Sequence, residues 1–207
     1  NINKLFLEEC NAERAEHEKE NYSNFNRHET YEIKKYINEK KLGIKTAIAN
    51  ALDGGKTLFI APTGAGKSYS FINTSKKLKT KALFILPNAS NVEQAMHEYN
   101  IAGAYDKIPA KQALENNNLA VMTWDKTEQL IDVDLREYII VVDEIHQTYT
   151  DSYRGKARKN LNNIMSKCKG RIDITATPTK LEFEIYDYII EYTQKQKTEY
   201  DVKLYND

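Results

Sequence analysis

TLFIAPTGAGKS, residues 57–68, decides the fold. A short apolar run passes directly into A-x-x-G-x-G-K-S, and SYSFINTSKKLK (68–79) then continues at helical spacing. A strand that turns through small residues into a helix is the P-loop arrangement. The small residues have a physical cause: backbone N–H groups must turn inward and close on phosphate oxygens, which a bulky Cβ would prevent. Gly64 and Gly66 supply that freedom, with Ala61 standing where the general pattern has its first glycine. The N-terminus of the following helix adds partial positive charge. Pro62, Thr63, Gly64, Ala65, Gly66, Lys67 and Ser68 are therefore the candidate nucleotide-binding residues. Lys67 is suited to place a point charge between β- and γ-phosphates, and the Ser68 hydroxyl to ligate Mg²⁺.

Working outward, further apolar runs alternate with helical patterns. ALFIL (82–86), LAVMT (119–123), YIIVV (138–142) and RIDIT (171–175) read as strands. Helices are predicted over 67–79, 90–99, 109–116, 125–131 and 155–168, and GIKTAIANAL (43–52) predicts one more, closed by Asp53-Gly54-Gly55. Short, near-continuously apolar strands separated by helices predict an α/β lobe: a doubly wound, mainly parallel sheet of five or more strands, with helices on both faces. Ligands of such sheets sit beyond the carboxyl ends of the strands, so the residues after each run matter most.

After YIIVV come Asp143, Glu144, Ile145 and His146. An acidic pair at the end of a buried strand, in a chain with a P-loop, fits a Walker B element. Asp143 would hold Mg²⁺ through water, and Glu144 would orient and deprotonate the attacking water. The plainer reading is a pair of solvated acids. After RIDIT the chain reads Ala176-Thr177-Pro178. The hydroxyls of Thr175 and Thr177 could bond His146 or the Glu144 region, or the segment could be a strand running into a proline turn.

Composition narrows the class. Hydrophobic residues make up 41% of 207, enough for a real core, which excludes wholesale disorder. No apolar run approaches the ~20 residues needed to span a bilayer, and NINKLFLEEC at the start is not expected to be a signal peptide. Lys plus Arg and Asp plus Glu number 30 each, so any contact with a polyanion must come from local patches. Cys10 and Cys168 stand far apart with no CxxC, which predicts no structural zinc and a reduced, cytoplasmic setting. Residues 1–42 are charge-dense, with LFLEECNAERAEHEKE (5–20) and ETYEIKKYINEKK (29–41) at helical spacing, and are expected to be a helical lead-in or linker. The main domain is expected over 43–195. YDVKLY (200–205) alternates like a strand leading out of it through 196–207.

APTGAGKS, DEIH and TATP, in that order and each after a strand, resemble motifs I, II and III of the superfamily two helicases of the DEAD/DEAH type. The resemblance covers about residues 43–192, the first RecA-like lobe of that family. LPN (86–88) is similar to the start of motif Ia, and TWD (123–125) to the threonine-containing motif between Ia and II. The resemblance implies ATP and Mg²⁺ as cofactors, with Lys67, Asp143 and Glu144 catalytic and Ser68 and Asp143 on the metal. It implies His146, Thr175 and Thr177 coupling the nucleotide to nucleic acid. It places Asn88, Ser90, Asn91, Thr123 and Trp124 on a single- or double-stranded nucleic acid, DNA favoured over RNA. Ser90 or Asn91 would also serve as the N-cap of the helix that follows, and Trp124 would either stack on a base or pack in the core. The basic stretch YRGKARKN (153–160) is a further phosphate contact or a solvated helix start.

The chain departs from the pattern at three places. His146 stands where the strict DEAD-box helicases have Asp, motif III begins with Thr175, and Lys45 occupies the place of an adenine-reading Gln. The family's second lobe, with its arginine finger, is the implied partner. The leading expectation is an ATP-driven helicase lobe, slow on its own and set in DNA replication. A duplex translocase of a restriction or replication assembly, and a nucleotide-gated interaction module, stand beside it.

Overall fold

The computed structural model describes residues 27–147, 155–178 and 183–194. In chain order the elements are β1 (Arg27–Ile33), α1 (Leu42–Leu52), β2 (Lys56–Ile60), α2 (Lys67–Leu78), β3 (Ala82–Leu86), α3 (Ala89–Tyr99), β4 (Ala102–Ala104), α4 (Ala110–Leu114), β5 (Leu119–Thr123), β6 (Ile139–Val142), α5 (Gly155–Met165), β7 (Gly170–Thr175) and β8 (Tyr188–Gln194). Short 3₁₀ turns occupy Ile37–Glu39, Trp124–Leu130 and Phe183–Ile185.

The strands form because their side chains are needed on both faces. Phe59, Phe84, Val121, Val141 and Ile172 belong to the core on one side of the sheet. Their alternating neighbours Leu58, Leu83, Met122, Ile140 and Val142 belong to the core on the other. Burying each such side chain stabilises by roughly 1.5–3 kcal/mol, and a sheet covered twice collects that gain at every position. Asp173 of β7 breaks the pattern, fully buried among apolar neighbours. Its carboxylate accepts from Arg171 Nε at 2.8 and 2.9 Å and from the Tyr186 hydroxyl at 2.6 Å, so the charge is paired where it lies.

Among the described residues, one sheet holds eight strands in the order β1-β8-β2-β7-β6-β3-β5-β4, every pairing parallel. This doubly wound α/β lobe is the fold expected. The order positions the site. β2, β7 and β6 are neighbours, so the loops after residues 60, 175 and 142 leave the same sheet edge side by side. Ile60 pairs with Thr175 and Val142 with Asp173, which aligns the three exits.

The structure corrects the reading of 29–41 as helix. Arg27–Ile33 is a strand paired in parallel with β8, so the sheet takes in residues ahead of position 43. Within RHETYEI the burial alternates: Glu29, Tyr31 and Ile33 face inward and their neighbours outward. Glu29 is tolerated inside because the Tyr31 hydroxyl donates to its carboxylate at 2.5 Å. β8 had no counterpart among the predicted strands. It lies between β1 and β2, and its Tyr192 stacks on Tyr31 with centroids 5.0 Å apart. The segment expected as a helix over 125–131 is 3₁₀ from Trp124 to Leu130. The expectations for 5–20 and 200–205 lie outside the described residues, as do Tyr153 and Arg154 of the basic stretch.

Candidate functional site

The P-loop is built by two left-handed residues and three tethers. Gly64 and Gly66 adopt φ of 75° and 80°, which favours glycine, and Gly66 hands the chain to α2 as its N-cap. Ala61 N–H donates to Thr175 O at 3.1 Å, tying the start of the loop to the end of β7. Ala65 N–H donates to Pro62 O at 3.2 Å, which closes the turn. Ile37 N–H donates to Ala65 O at 3.1 Å, which fastens the residues before α1 to the loop from above.

Lys67 is 7% exposed, and its ammonium donates to Ala61 O at 3.1 Å and Pro62 O at 3.2 Å. Folded back on its own loop in this way, it places a positive charge against the carbonyls of residues 61 and 62. Ser68 Oγ donates to Asp143 Oδ2 at 2.5 Å across 75 residues of sequence. Asp143 Oδ1 in turn accepts from Glu144 N–H at 3.0 Å. A hydroxyl and a carboxylate in contact beside a lysine are hard oxygen donors of the type that Mg²⁺ takes. Among the described residues no group of three His, Cys, Asp or Glu is placed to hold a metal unaided. Mg²⁺ is commonly bound through one or two protein oxygens together with substrate phosphates.

Glu144 has a left-handed backbone, φ 52°, an uncommon conformation for a residue with a side chain. Burial, and next the neighbouring Asp143 charge, push its carboxyl above the ordinary glutamate range, while Lys67 and His146 pull it down. His146 Nδ1 lies 3.0 Å from Thr175 Oγ1 and 3.2 Å from Glu144 Oε2. Thr175 directs its own proton to Thr177 O at 3.1 Å and accepts from Thr177 N–H at 3.0 Å. With that hydroxyl proton taken, Nδ1 is assigned as the donor toward both oxygens. Glu144, His146, Thr175 and Thr177 thus form one continuous network.

The residues expected on nucleic acid are not brought together in the same way. Asn88 is the N-cap of α3, its side chain accepting from Asn91 N–H at 2.9 Å. This corrects the expectation that Ser90 or Asn91 caps the helix; both are exposed in its first turn. Thr123 is buried at the end of β5. Trp124, read as a base platform or a core ring, is 2% exposed and belongs to the core. The bulk of an indole next to Leu130 and Met122 fills space that no polar residue could.

One part of the site had no signal in the sequence reading. The segment 34–39 lies over the P-loop: Asn38 Oδ1 accepts from Ser70 Oγ at 2.8 Å, and Tyr36, 45% exposed, flanks Gly66. Glu39 holds the segment in shape by accepting from the N–H groups of Lys34, Lys35 and Tyr36 at 2.8, 2.8 and 2.9 Å. Those three bonds draw its carboxyl below the usual range.

With this geometry in place, comparison with known proteins is informative. The family model described as "Type III restriction enzyme, res subunit" matches residues 24–180. A search of the curated proteins finds no match. A crystal structure titled as a hypothetical ATP-dependent RNA helicase from Sulfolobus tokodaii aligns over 90% of this chain and 56% of its own, at 18% identity and a TM-score of 0.54. The SWI2/SNF2 ATPase core domain of Sulfolobus solfataricus aligns over 72% of this chain and 33% of its own, at 20% identity and a TM-score of 0.51. These structures share the fold, and the present chain spans about half of one and a third of the other. No helix among the described residues is long and apolar enough to cross a membrane.

Proposed function

We propose, from the premise that this chain belongs to the restriction-enzyme res-subunit family and is a helicase-like ATPase domain of superfamily two type, that it is the ATP-hydrolysing first lobe of a DNA motor. The observation that carries the reading is the convergence of Lys67, the Ser68–Asp143 pair and Glu144 at the carboxyl ends of adjacent strands. The reaction is ATP plus water to ADP plus phosphate. Catalysis of such a transfer rests on positioning and charge neutralisation.

The chain's own residues divide that task. The backbone of 62–66 and the Lys67 ammonium bind the phosphates, and Glu144, desolvated and held beside His146, orients the attacking water and takes its proton. Ser68 and Asp143 would hold Mg²⁺, which would supply charge neutralisation for the bound phosphates. The exposed Tyr36 ring beside Gly66 offers the base a flat face. His146, Thr175 and Thr177 join the water-activating acid to the loop after β7, a path by which a bound strand alters hydrolysis. The complete engine requires a second lobe with an arginine for the γ-phosphate, so residues 1–207 alone bind nucleotide and turn it over slowly. A cytoplasmic setting belongs to the same reading.

The matched family favours one variant over strand separation: translocation along duplex DNA within a restriction assembly. Displacement of a third strand from a triplex, without release of either duplex strand, is its expected signature. Unwinding of the duplex would return the reading to a helicase.

The test of the ATPase is Glu144→Gln in the two-lobed protein. Nucleotide affinity stays within twofold while kcat falls by about 10³-fold. Unchanged turnover removes Glu144 from the mechanism.

A further inference from the structure

Between α2 and α3 the fold leaves a cavity of about 240 Å³ that the reading above does not use. Ser68 and Asp143 line it together with Asn91, Gln94, Glu98 and Tyr99 of α3. α3 packs on the core through Val92 and Ala95, so Gln94 and Glu98 are not needed to hold it down. They stand one helical turn apart, with Gln94 Nε2 3.4 Å from Glu98 Oε2. Lys76 on α2 donates to Tyr99 O at 2.7 Å, and the rings of Tyr69 and Tyr99 meet edge-on at 5.9 Å, so the two helices are fastened to each other at the cavity. The result is an amide and a carboxylate, both partly open to solvent, that line the same cavity as the Ser68–Asp143 pair, a space with room for several waters.

Mg²⁺ gives up its hydration shell reluctantly, and the water protons of that shell require acceptors on every side. Asp143 and Glu144 are acceptors at the strand ends, while toward the helices the acceptors available are those of α3. We infer that Gln94 and Glu98 are positioning residues: they accept hydrogen bonds from the hydration shell of a Mg²⁺ held at Ser68 and Asp143, and so set the metal affinity of the nucleotide complex. The inference rests on the nucleotide-and-metal reading given above. Groups of this kind, one step removed from the ligands, change metal affinity by about 10-fold or more when removed.

Mn²⁺ titrated into the protein–ADP complex and followed by electron paramagnetic resonance provides the test, with ADP affinity in EDTA measured in parallel. Gln94→Ala and Glu98→Ala, which remove the acceptors, each raise the Mn²⁺ concentration at half-occupancy by about 10-fold, leaving the melting temperature and the metal-free ADP affinity unchanged. Gln94→Glu, which keeps an acceptor, retains wild-type Mn²⁺ affinity. Wild-type Mn²⁺ affinity in both damaging variants overturns the inference and leaves the ATP site standing, as does a loss equally large in EDTA. Failure of the wild type to bind Mn²⁺ with ADP overturns both.

Discussion

The loops over β2, β7 and β6 and the loops over β3 and β5 leave the same edge of one sheet, yet their side chains are used differently. In the first group the hydrogen bonds reach across the chain: Ser68 to Asp143 spans 75 residues, and His146 to Thr175 spans 29. In the second, two side chains bond only their own segment, while Lys126 and Gln129 after β5 reach back to Asp106 O and Ala110 N–H in the neighbouring stretch. Asn88 accepts from a backbone N–H three residues on, and Thr127 Oγ1 donates to Trp124 O three residues back. Bonds of the second kind serve local structure and can form in a short segment. Those of the first exist only once the strand order has brought distant loops together, so they mark where the topology itself assembles a site. Side chains engaged in this way face a shared gap, whereas a side chain that fills the core, such as Trp124, has no capacity left for a ligand.

The largest expected effect on ligand binding comes from the assembled half. Lys67→Ala removes the only charge in the loop 61–68 and lowers triphosphate affinity by about 100-fold or more, read by fluorescent-nucleotide titration. Because Lys67 bonds only the carbonyls of Ala61 and Pro62 in its own loop, the variant folds normally by circular dichroism. Retained affinity would mean that the assembled half binds no phosphate, and the contrast between the halves would lose its functional meaning.

The largest expected effect on stability is that of Trp124→Ala, which leaves a large cavity beneath β5 and costs about 3–5 kcal/mol in chemical denaturation. Under conditions where the variant is folded, its affinity for single-stranded DNA stays at the wild-type value. The opposite result, stability retained and DNA binding lost, would show that the β5 loop also directs a side chain at a ligand and would erase the distinction.

The two halves also differ in how far the sequence discloses them. P-loop chemistry imposes residue types at fixed spacing, so Gly64, Gly66, Lys67 and Ser68 are legible without any tertiary information, as are the acids at 143–144. Their proximity is not legible, because spacing along a chain does not report that β7 lies between β2 and β6. The clip over the P-loop was hidden for a related reason. It is made by the backbone of Ile37 and the side chain of Asn38, neither of which belongs to a chemical type that attracts notice. β1 carried a signal that was outweighed. RHETYEI alternates inward and outward with period two, but the lysines and glutamates around it read as a solvated helix. Trp124 was ambiguous in sequence because an indole serves a core and a base platform equally well, and only its burial separates the two.

The smallest effects distinguish a cap from a contact. If Asn88 serves α3, replacing it removes the acceptor for Asn91 N–H and exposes one of the orphan donors of the first turn. Asn88→Ala then costs about 1 kcal/mol of stability, and Asn88→Gly only a few tenths. Ser90→Ala and Asn91→Ala stay within about 0.5 kcal/mol, since both side chains are exposed and neither caps the helix. Binding to DNA is the discriminating measurement. Removing a neutral side chain that bonds a phosphate lowers affinity without altering its salt dependence, because an uncharged group releases no counterion. Weaker binding at an unchanged salt slope for Ser90→Ala or Asn91→Ala would therefore give the β3 loop a share in the DNA surface through the two residues its cap leaves free. Equal binding by both variants would confine that loop to structure, and the assembled half would then be where a strand must be sensed.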